Sequence, residues 1–290
     1  MGMNAIEKIL ARHSDHAEVK PGDVVVVDVD LAVACDRVRP DIQRVFDPER
    51  IVLTFDHEIP SPSISAANHA QRLRTFAERF GIRHYFPVGA HGISHVLVAE
   101  EGLALPGMIL CNADSHTCSS GALNALARGV GPADMAYVMC KGTTWYVVGP
   151  TTRVDLVGEL GERVYARDVI HHLPGEYGDF AGRNLEWHGD GLARIGMDGR
   201  LTMATISAEL SVEFSLFPYD AVLEEYVRGR AQFSFEPAHP DPDAKYERVI
   251  TIDLSSLEPQ VVLPDKVAWN VRSARDVARE GVHVDQAFVG

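Results

Sequence analysis

Apolar and polar positions change their period several times along the first half of the chain. GDVVVVDVD (22–30) is a β-branched run after a Pro-Gly turn, and it predicts a buried strand. RIVLTFDHEIP (50–60) predicts a second strand ending in Asp56-His57. In SPSISAANHAQRLRTFAERFGI the apolar residues recur at helical spacing, with Ser61 or Ser63 as N-cap and Gly81 as the stop. RHYFPVG (83–89) and GMILCNADSHT (107–117) predict two more strands, and VGAHGISHVLVAEEG between them reads as a Gly-broken loop. SSGALNALARGVG then predicts a helix of small residues, and PADMAYVMCKG (132–142) another, with Pro132 near its first turn. Strands alternating with helices imply a layered α/β/α fold with a mostly parallel sheet.

After Gly149 the texture changes. TTRVDLVGEL reads as an edge or hairpin strand and YARDVIHHLPG as a short helix. GRLTMATISAELS (199–211) and PYDAVLEEYVRGR (218–230) predict helices, and FEPAHPDPDAKYE (235–247) is a Pro-rich surface loop. ERVITIDLSS predicts a strand, and the closing VDQAFVG reads as one more. The expected division is a site domain at 1–150, a smaller α/β domain at 151–265, and a tail at 266–290 with one strand of an otherwise absent third domain. Its apolar AFV would be exposed in a monomer, which predicts a homo-oligomer or a partner subunit.

Composition narrows the class. An apolar share of 46% and a charged share of 23% over 290 residues are those of a globular chain able to bury a core. A net charge of −14 argues against a nucleic-acid or anionic-membrane surface. No apolar run approaches the roughly 18 residues of a membrane helix, and the N-terminus is an amphipathic helix pattern rather than a signal peptide. Cys35, Cys111, Cys118 and Cys140 form no CxxC and no zinc pattern, so a reduced, cytoplasmic setting is expected.

Three acid–imidazole groupings carry the chemistry. Asp56-His57 ends a strand, His91 and His95 lie in the Gly-rich stretch, and Asp114-Ser115-His116 marks a strand-to-helix switch. Taken singly, each has a plain reading as a capping pair, a loop histidine or an N-cap cluster, and Glu209 reads as a solvated helix residue. Their shared placement at strand ends, where open α/β sheets border a ligand crevice, favours one converging site. Cys118 near a helix start has no paired base and reads as inert.

FDHEIPSPS, GISHVLVAEEGLALPGMIL, ADSHTCSSGALNALARGVG and GRLTMATISAELS, in that order, resemble the aconitase superfamily, and most of all the large subunits of isopropylmalate dehydratase and homoaconitase. The resemblance runs over essentially the whole chain. It implies a hydro-lyase acting on a small hydroxy di- or tricarboxylate, such as an isopropylmalate-, homocitrate- or malate-like acid, with a 4Fe-4S cluster as Lewis acid. It further implies that His57, backed by Asp56, protonates the departing hydroxyl, that His95 pairs with Asp114, and that His116 pairs with Glu209. Asp36 also falls on a family motif, and Ser115 lies within the DSHT block.

The chain departs from the family pattern in ways that matter. The family's first cluster cysteine would follow the equivalent of QAFVG, one step past Gly290, and none of the four cysteines falls on a ligand position. Thr205 stands where an asparagine is usual, and Ala34-Cys35-Asp36-Arg37-Val38-Arg39-Pro40 replaces a Thr-His-Asp run. Three expectations follow. Another subunit supplies the cluster and swivel domains, a case that an expression truncation would mimic. Or the chain is a cluster-free hydratase using its His/Asp pairs or a simple divalent metal, with Arg39 as a substituted carboxylate clamp. Or it is a non-catalytic carboxylate-binding relative.

Overall fold

The computed structural model describes residues 2–264 and 270–289. The first half runs α1 (Ala5–Arg12), β1 (Val24–Asp28), β2 (Leu31–Ala34), β3 (Ile51–Thr54), α2 (Ile64–Phe80), β4 (His84–Phe86), α3 (Ser94–Glu100), β5 (Ile109–Asn112), β6 (Leu126–Gly129), α4 (Pro132–Lys141) and β7 (Thr143–Val147). The second half runs β8 (Thr151–Val157), α5 (Ala166–Tyr177), β9 (Asn184–His188), α6 (Met197–Ile206), β10 (Ser215–Leu216), α7 (Ala221–Val227), β11 (Arg248–Asp253), β12 (Gln260–Val262), β13 (Val271–Ser273) and α8 (Ala274–Arg279).

Two parallel sheets organise the molecule as a layered α/β fold. One has the order β4-β3-β2-β5-β6 and the other β10-β9-β8-β11. Strands β2, β3 and β5 are buried on both faces, which is why LAVA, IVLT and ILCN are continuous apolar runs rather than alternating ones. Their side chains still alternate. Leu31, Val33, Val52 and Leu110 pack toward α3 and the second sheet, whereas Ala32, Ala34, Ile51, Leu53 and Ile109 pack toward α1, α2 and α4. From β2 the chain moves outward to β3 and β4, then returns to place β5 on the other side of β2. The carboxyl ends of β2 and β5 therefore flank the topological switch point, where such sheets open a ligand crevice.

Several expectations are corrected. VVVV is not a fully buried strand: β1 pairs antiparallel with β7 outside the main sheet, with Val25 and Val27 inside and Val24 and Val26 facing out. A run of four valines satisfies either arrangement, so its pattern could not choose. The buried strand next to it is LAVA. TTRVDLV is an interior strand, held in parallel between β9 and β11, not an edge. HVLVAE is helix α3 rather than loop. The stretch expected to be a helix of small residues is a 3-10 turn, Thr117–Leu123, closed by Asn124 at φ 58° and followed by β6. Residues 285–289 form no strand, and Phe288 and Val289 are almost wholly exposed. The start of the expected tail, 266–269, and Gly290 lie outside the described residues. The N-cap of α2 is Ser63, whose Oγ accepts from the Ala66 N–H, and Gly81 ends the helix at φ 64°.

The two sheets meet through that 3-10 segment. Its small residues let its backbone approach closely: Phe217 N–H donates to the Gly121 carbonyl at 2.9 Å, and a Cβ on Gly121 would fall 1.9 Å from the Ser215 carbonyl oxygen. Asn124, fully buried, donates from Nδ2 to the Phe217 and Ala238 carbonyls and accepts from the Ala238 N–H. Helix α6 packs on the same segment and leads directly into Glu209.

One buried ion pair fixes α6. Arg200 is wholly buried, and its guanidinium donates to both Asp220 oxygens at 2.8 and 2.6 Å and to the Ile195 and Leu192 carbonyls. Asp220 also caps α7 through Leu223 N–H. Asp220→Ala leaves a buried cation without its counter-charge and is expected to cost about 3–5 kcal/mol. Urea unfolding measures this, and a loss under about 1 kcal/mol would mean that the pair does not anchor the helix.

Candidate active site

Three carboxylates reach the switch point from neighbouring elements. Asp36 lies two residues past the end of β2, Asp56 two past β3, and Asp114 two past β5. Asp36 is almost fully buried, and its carboxylate gathers the turn after β3. It accepts from His57 N–H at 3.0 and 3.1 Å and from Glu58 N–H at 2.7 Å. The His57 ring follows, with Nδ1 3.3 Å from Asp36 Oδ1 and Nε2 3.4 Å from Asp114 Oδ2.

Asp114 is the hub. One oxygen, Oδ1, lies 3.1 Å from His95 Nδ1 and accepts the His116 N–H at 2.8 Å, while Oδ2 faces His57. The turn that holds it is closed by the Thr117 hydroxyl, which donates to the Asp114 carbonyl at 2.6 Å. Gly129 permits the end of β6 to pass, since a Cβ there would lie 2.4 Å from that same carbonyl oxygen. Burial by itself would raise the Asp114 carboxyl. The hydrogen bonds from His95 and from His116 N–H, with the charges of the two imidazoles, outweigh it and hold the group below its ordinary value.

His95 sits in the first turn of α3, and its ring centroid is 5.9 Å from that of His116. His116 Nε2 lies 3.3 Å from Glu209 Oε1, so Glu209, which composition alone assigns to solvent, touches the cluster across the sheet boundary. The expected backing of His57 by Asp56 is replaced. Asp56 accepts the Ser94 N–H at 2.8 Å and so caps α3, a helix without a capping side chain of its own. The carboxylate on His57 Nδ1 is Asp36 instead. The Ser94 N–H holds the Asp56 carboxylate at the start of α3, and this divides the two roles.

The remaining candidates stand apart. Ser115 is exposed, with no hydrogen bond among the described residues, and lines a small cavity with Cys118, Arg128 and Glu213. Thr205 turns its hydroxyl back onto the Leu201 carbonyl at 2.7 Å. Arg39 is exposed and has no ion pair among the described residues. His91 accepts from Gly89 N–H in its own loop and does not join the cluster.

The cysteines do not assemble a cluster site. Cys35 donates to the Ala113 carbonyl, Cys118 to that of Ala204, and Cys140 to that of Arg44, while Cys111 lies against the Tyr146 hydroxyl. Burial pushes the Cys35 and Cys118 thiols up to about 12 and Cys111 to about 11. Cluster ligation needs converging thiolates. Among the described residues no three cysteines converge, so these residues by themselves do not ligate the 4Fe-4S cluster that the family implies.

A family model described as "Aconitase family (aconitate hydratase)" matches residues 7–287. The chain belongs to the aconitase family. Over its whole length it is 43% identical to the 3-isopropylmalate dehydratase large subunit of Mycolicibacterium smegmatis, of which it spans 69%. Over 99% of its length it is 40% identical to a probable methanogen homoaconitase large subunit of Methanothermobacter thermautotrophicus, of which it spans 70%. The crystal structure of Thermococcus kodakaraensis aconitase X (holo-form) aligns over 86% of the chain and 62% of that protein, with a TM-score of 0.41 and 12% identity. No helix among the described residues is long and apolar enough to cross a membrane.

Asp114 also sets an acid-side expectation for this aconitase-family site. Its folded pKa is depressed, so its contribution to stability is present above the unfolded value of about 3.9 and is lost as pH falls through the lower folded value. Asp114→Asn should therefore flatten the loss of stability on acidification from about pH 5 downward, read by urea unfolding at stepped pH. An unchanged acid slope would show that this carboxylate is not held ionised by its imidazole neighbours.

Proposed function

We propose that the chain is the large-subunit part of a hydro-lyase that removes water from, or adds it to, a small hydroxy di- or tricarboxylate of the isopropylmalate or homocitrate type. The observation that carries this reading is the single carboxylate, Asp114, contacting two imidazoles and the backbone of a third histidine at one sheet edge. Loss of hydroxide from carbon needs a proton at the departing oxygen. His57, set between Asp36 and Asp114, has the carboxylates needed to stabilise an imidazolium that donates it.

In the dehydration direction the carbon–oxygen bond breaks and the hydroxyl leaves as water with the His57 proton. A carbon-bound proton passes to a base, and the carbon–carbon double bond forms from the electrons left behind. Among the described residues, His116 is the most exposed imidazole of the cluster, and Glu209 behind it suits that acceptor role. His95, held by Asp114 at 3.1 Å, keeps the hub charged through both steps. The named relatives are large subunits, which supports a small-subunit partner for this chain as well. A second reading, a hydratase that works without a cluster, would rest on Asp56, His57 and Asp114, whose ligand atoms lie within 4.8 Å of one another.

Assayed with a co-expressed small subunit on isopropylmalate and on homocitrate, His57→Ala, Asp114→Ala and His116→Ala are each expected to lower kcat about 10²–10⁴-fold. Circular dichroism keeps loss of chemistry separate from loss of fold. Full activity in all three folded variants would discard the site assignment. Iron and acid-labile sulfide in stoichiometric amounts would decide against the cluster-free reading.

A further inference from the structure

Carboxylates face both ring nitrogens of His57. Its Nδ1 faces Asp36, a side chain only 3% exposed whose oxygens already accept three backbone bonds from His57 and Glu58. A carboxylate in that position selects the tautomer that carries its proton on Nδ1 and leaves a lone pair on Nε2. That lone pair points at Asp114 Oδ2, 3.4 Å away. Asp114 is itself only 8% exposed, and Oδ2 receives no hydrogen bond from any described residue; the donors to this carboxylate both go to Oδ1. Asp56, half-buried, has one such oxygen too. One of its oxygens takes the Ser94 N–H, and the other receives no donor among the described residues.

Ligand atoms of Asp56, His57 and Asp114 all lie within 4.8 Å of one another. Two carboxylate oxygens and an imidazole lone pair turned to one point give a place where a cation is attracted by all three. We propose that Asp56, His57 and Asp114 form a mononuclear site for a borderline divalent cation such as Zn²⁺ or Mn²⁺, made by this chain without any cysteine. Two carboxylate oxygens and one imidazole nitrogen suit such ions better than a soft cluster iron, which prefers thiolate.

The spacing supports the choice. Ligand atoms about 2.1 Å from a tetrahedral zinc lie about 3.4 Å apart, the separation found between His57 Nε2 and Asp114 Oδ2. Asp36 behind Nδ1 completes the carboxylate–histidine–metal arrangement that orients a ligating ring. The ion and the Nε2 proton share one gap. The ion-loaded state is thus a second state of the site, one that would grip a hydroxyl or carboxylate oxygen of a hydroxy acid directly instead of protonating it. The inference rests on the same side chains as the dehydratase reading, but its test uses no substrate.

The test titrates Zn²⁺ by calorimetry, and Mn²⁺ by electron paramagnetic resonance, into the full chain stripped of metal. One ion per chain is expected. Asp56→Asn should weaken binding at least about tenfold while its amide oxygen still caps α3, and Asp36→Asn should weaken it about 10–100-fold through the ring it orients. Asp114→Asn should do the same, with circular dichroism showing the fold intact. His91→Ala, a loop histidine outside the cluster, should leave affinity unchanged. No uptake at large excess of either ion, or uptake unaltered in both Asp56→Asn and Asp114→Asn, overturns the site. An active enzyme that takes up no ion removes this inference alone. Ion uptake by a chain that never turns over removes the hydro-lyase reading alone.

Discussion

A carboxylate that is more than nine-tenths buried and still ionised sets the terms for the rest of this structure. Taking such a group from water costs several kcal/mol unless donors and positive charge surround it. Asp114 meets that demand with His95 and the His116 amide on one oxygen, and its other oxygen faces the His57 ring. Each of those partners must come from a different place: α3, the turn after β5, and the turn after β3. The sheet order brings these places together, because β5 returns beside β2 after the excursion through β3 and β4. The compressed run Asp-Ser-His-Thr is what allows one turn to supply the carboxylate, an amide donor and an imidazole, with the Thr117 hydroxyl closing it.

Glu209 depends on a second constraint, the close approach of the two sheets. Ser119, Ser120 and Gly121 have no bulk to keep the 3-10 segment away from β10, and Asn124 satisfies three backbone groups that the junction would otherwise bury unpaired. Helix α6 lies on this segment, pinned by Arg200 and Asp220, and its continuation delivers Glu209 to His116. A long-range pair at the site thus rests on residues with no chemistry of their own.

The same features explain what could be read from the amino-acid order. The alternation of strands and helices, the gathering of acid and imidazole side chains past strand ends and the contacts His95–Asp114 and His116–Glu209 were legible, the contacts through resemblance to the aconitase family. The partner of His57 was not. Asp56 is its neighbour in sequence, but its carboxylate caps α3, and the carboxylate facing Nδ1 follows the adjacent strand. Four valines in a row could not report that only one face of β1 is covered. The small-residue run looked helical because alanine and leucine dominate it. The structure turns on Asn124 in the left-handed region and on Gly121, whose close approach is a tertiary fact.

Charge is the remaining difficulty for any anionic substrate. Asp36, Asp56, Asp114 and Glu209 set four carboxylates around three imidazoles, in a chain whose net charge is −14. Neither Arg39 nor Arg128 offers ready compensation. Arg39 is exposed, and Arg128 is already held by Glu213 at 3.1 Å and stacked over Tyr146. A di- or tricarboxylate entering this edge is repelled unless positive charge is added there. Protonation of His57 supplies one charge, and a divalent cation in the same gap supplies two. The arrangement of acceptors around Nε2 is therefore also what would let an acidic site receive an acidic ligand, and the proposed occupant of that gap, proton or ion, would set whether a hydroxyl is protonated or gripped.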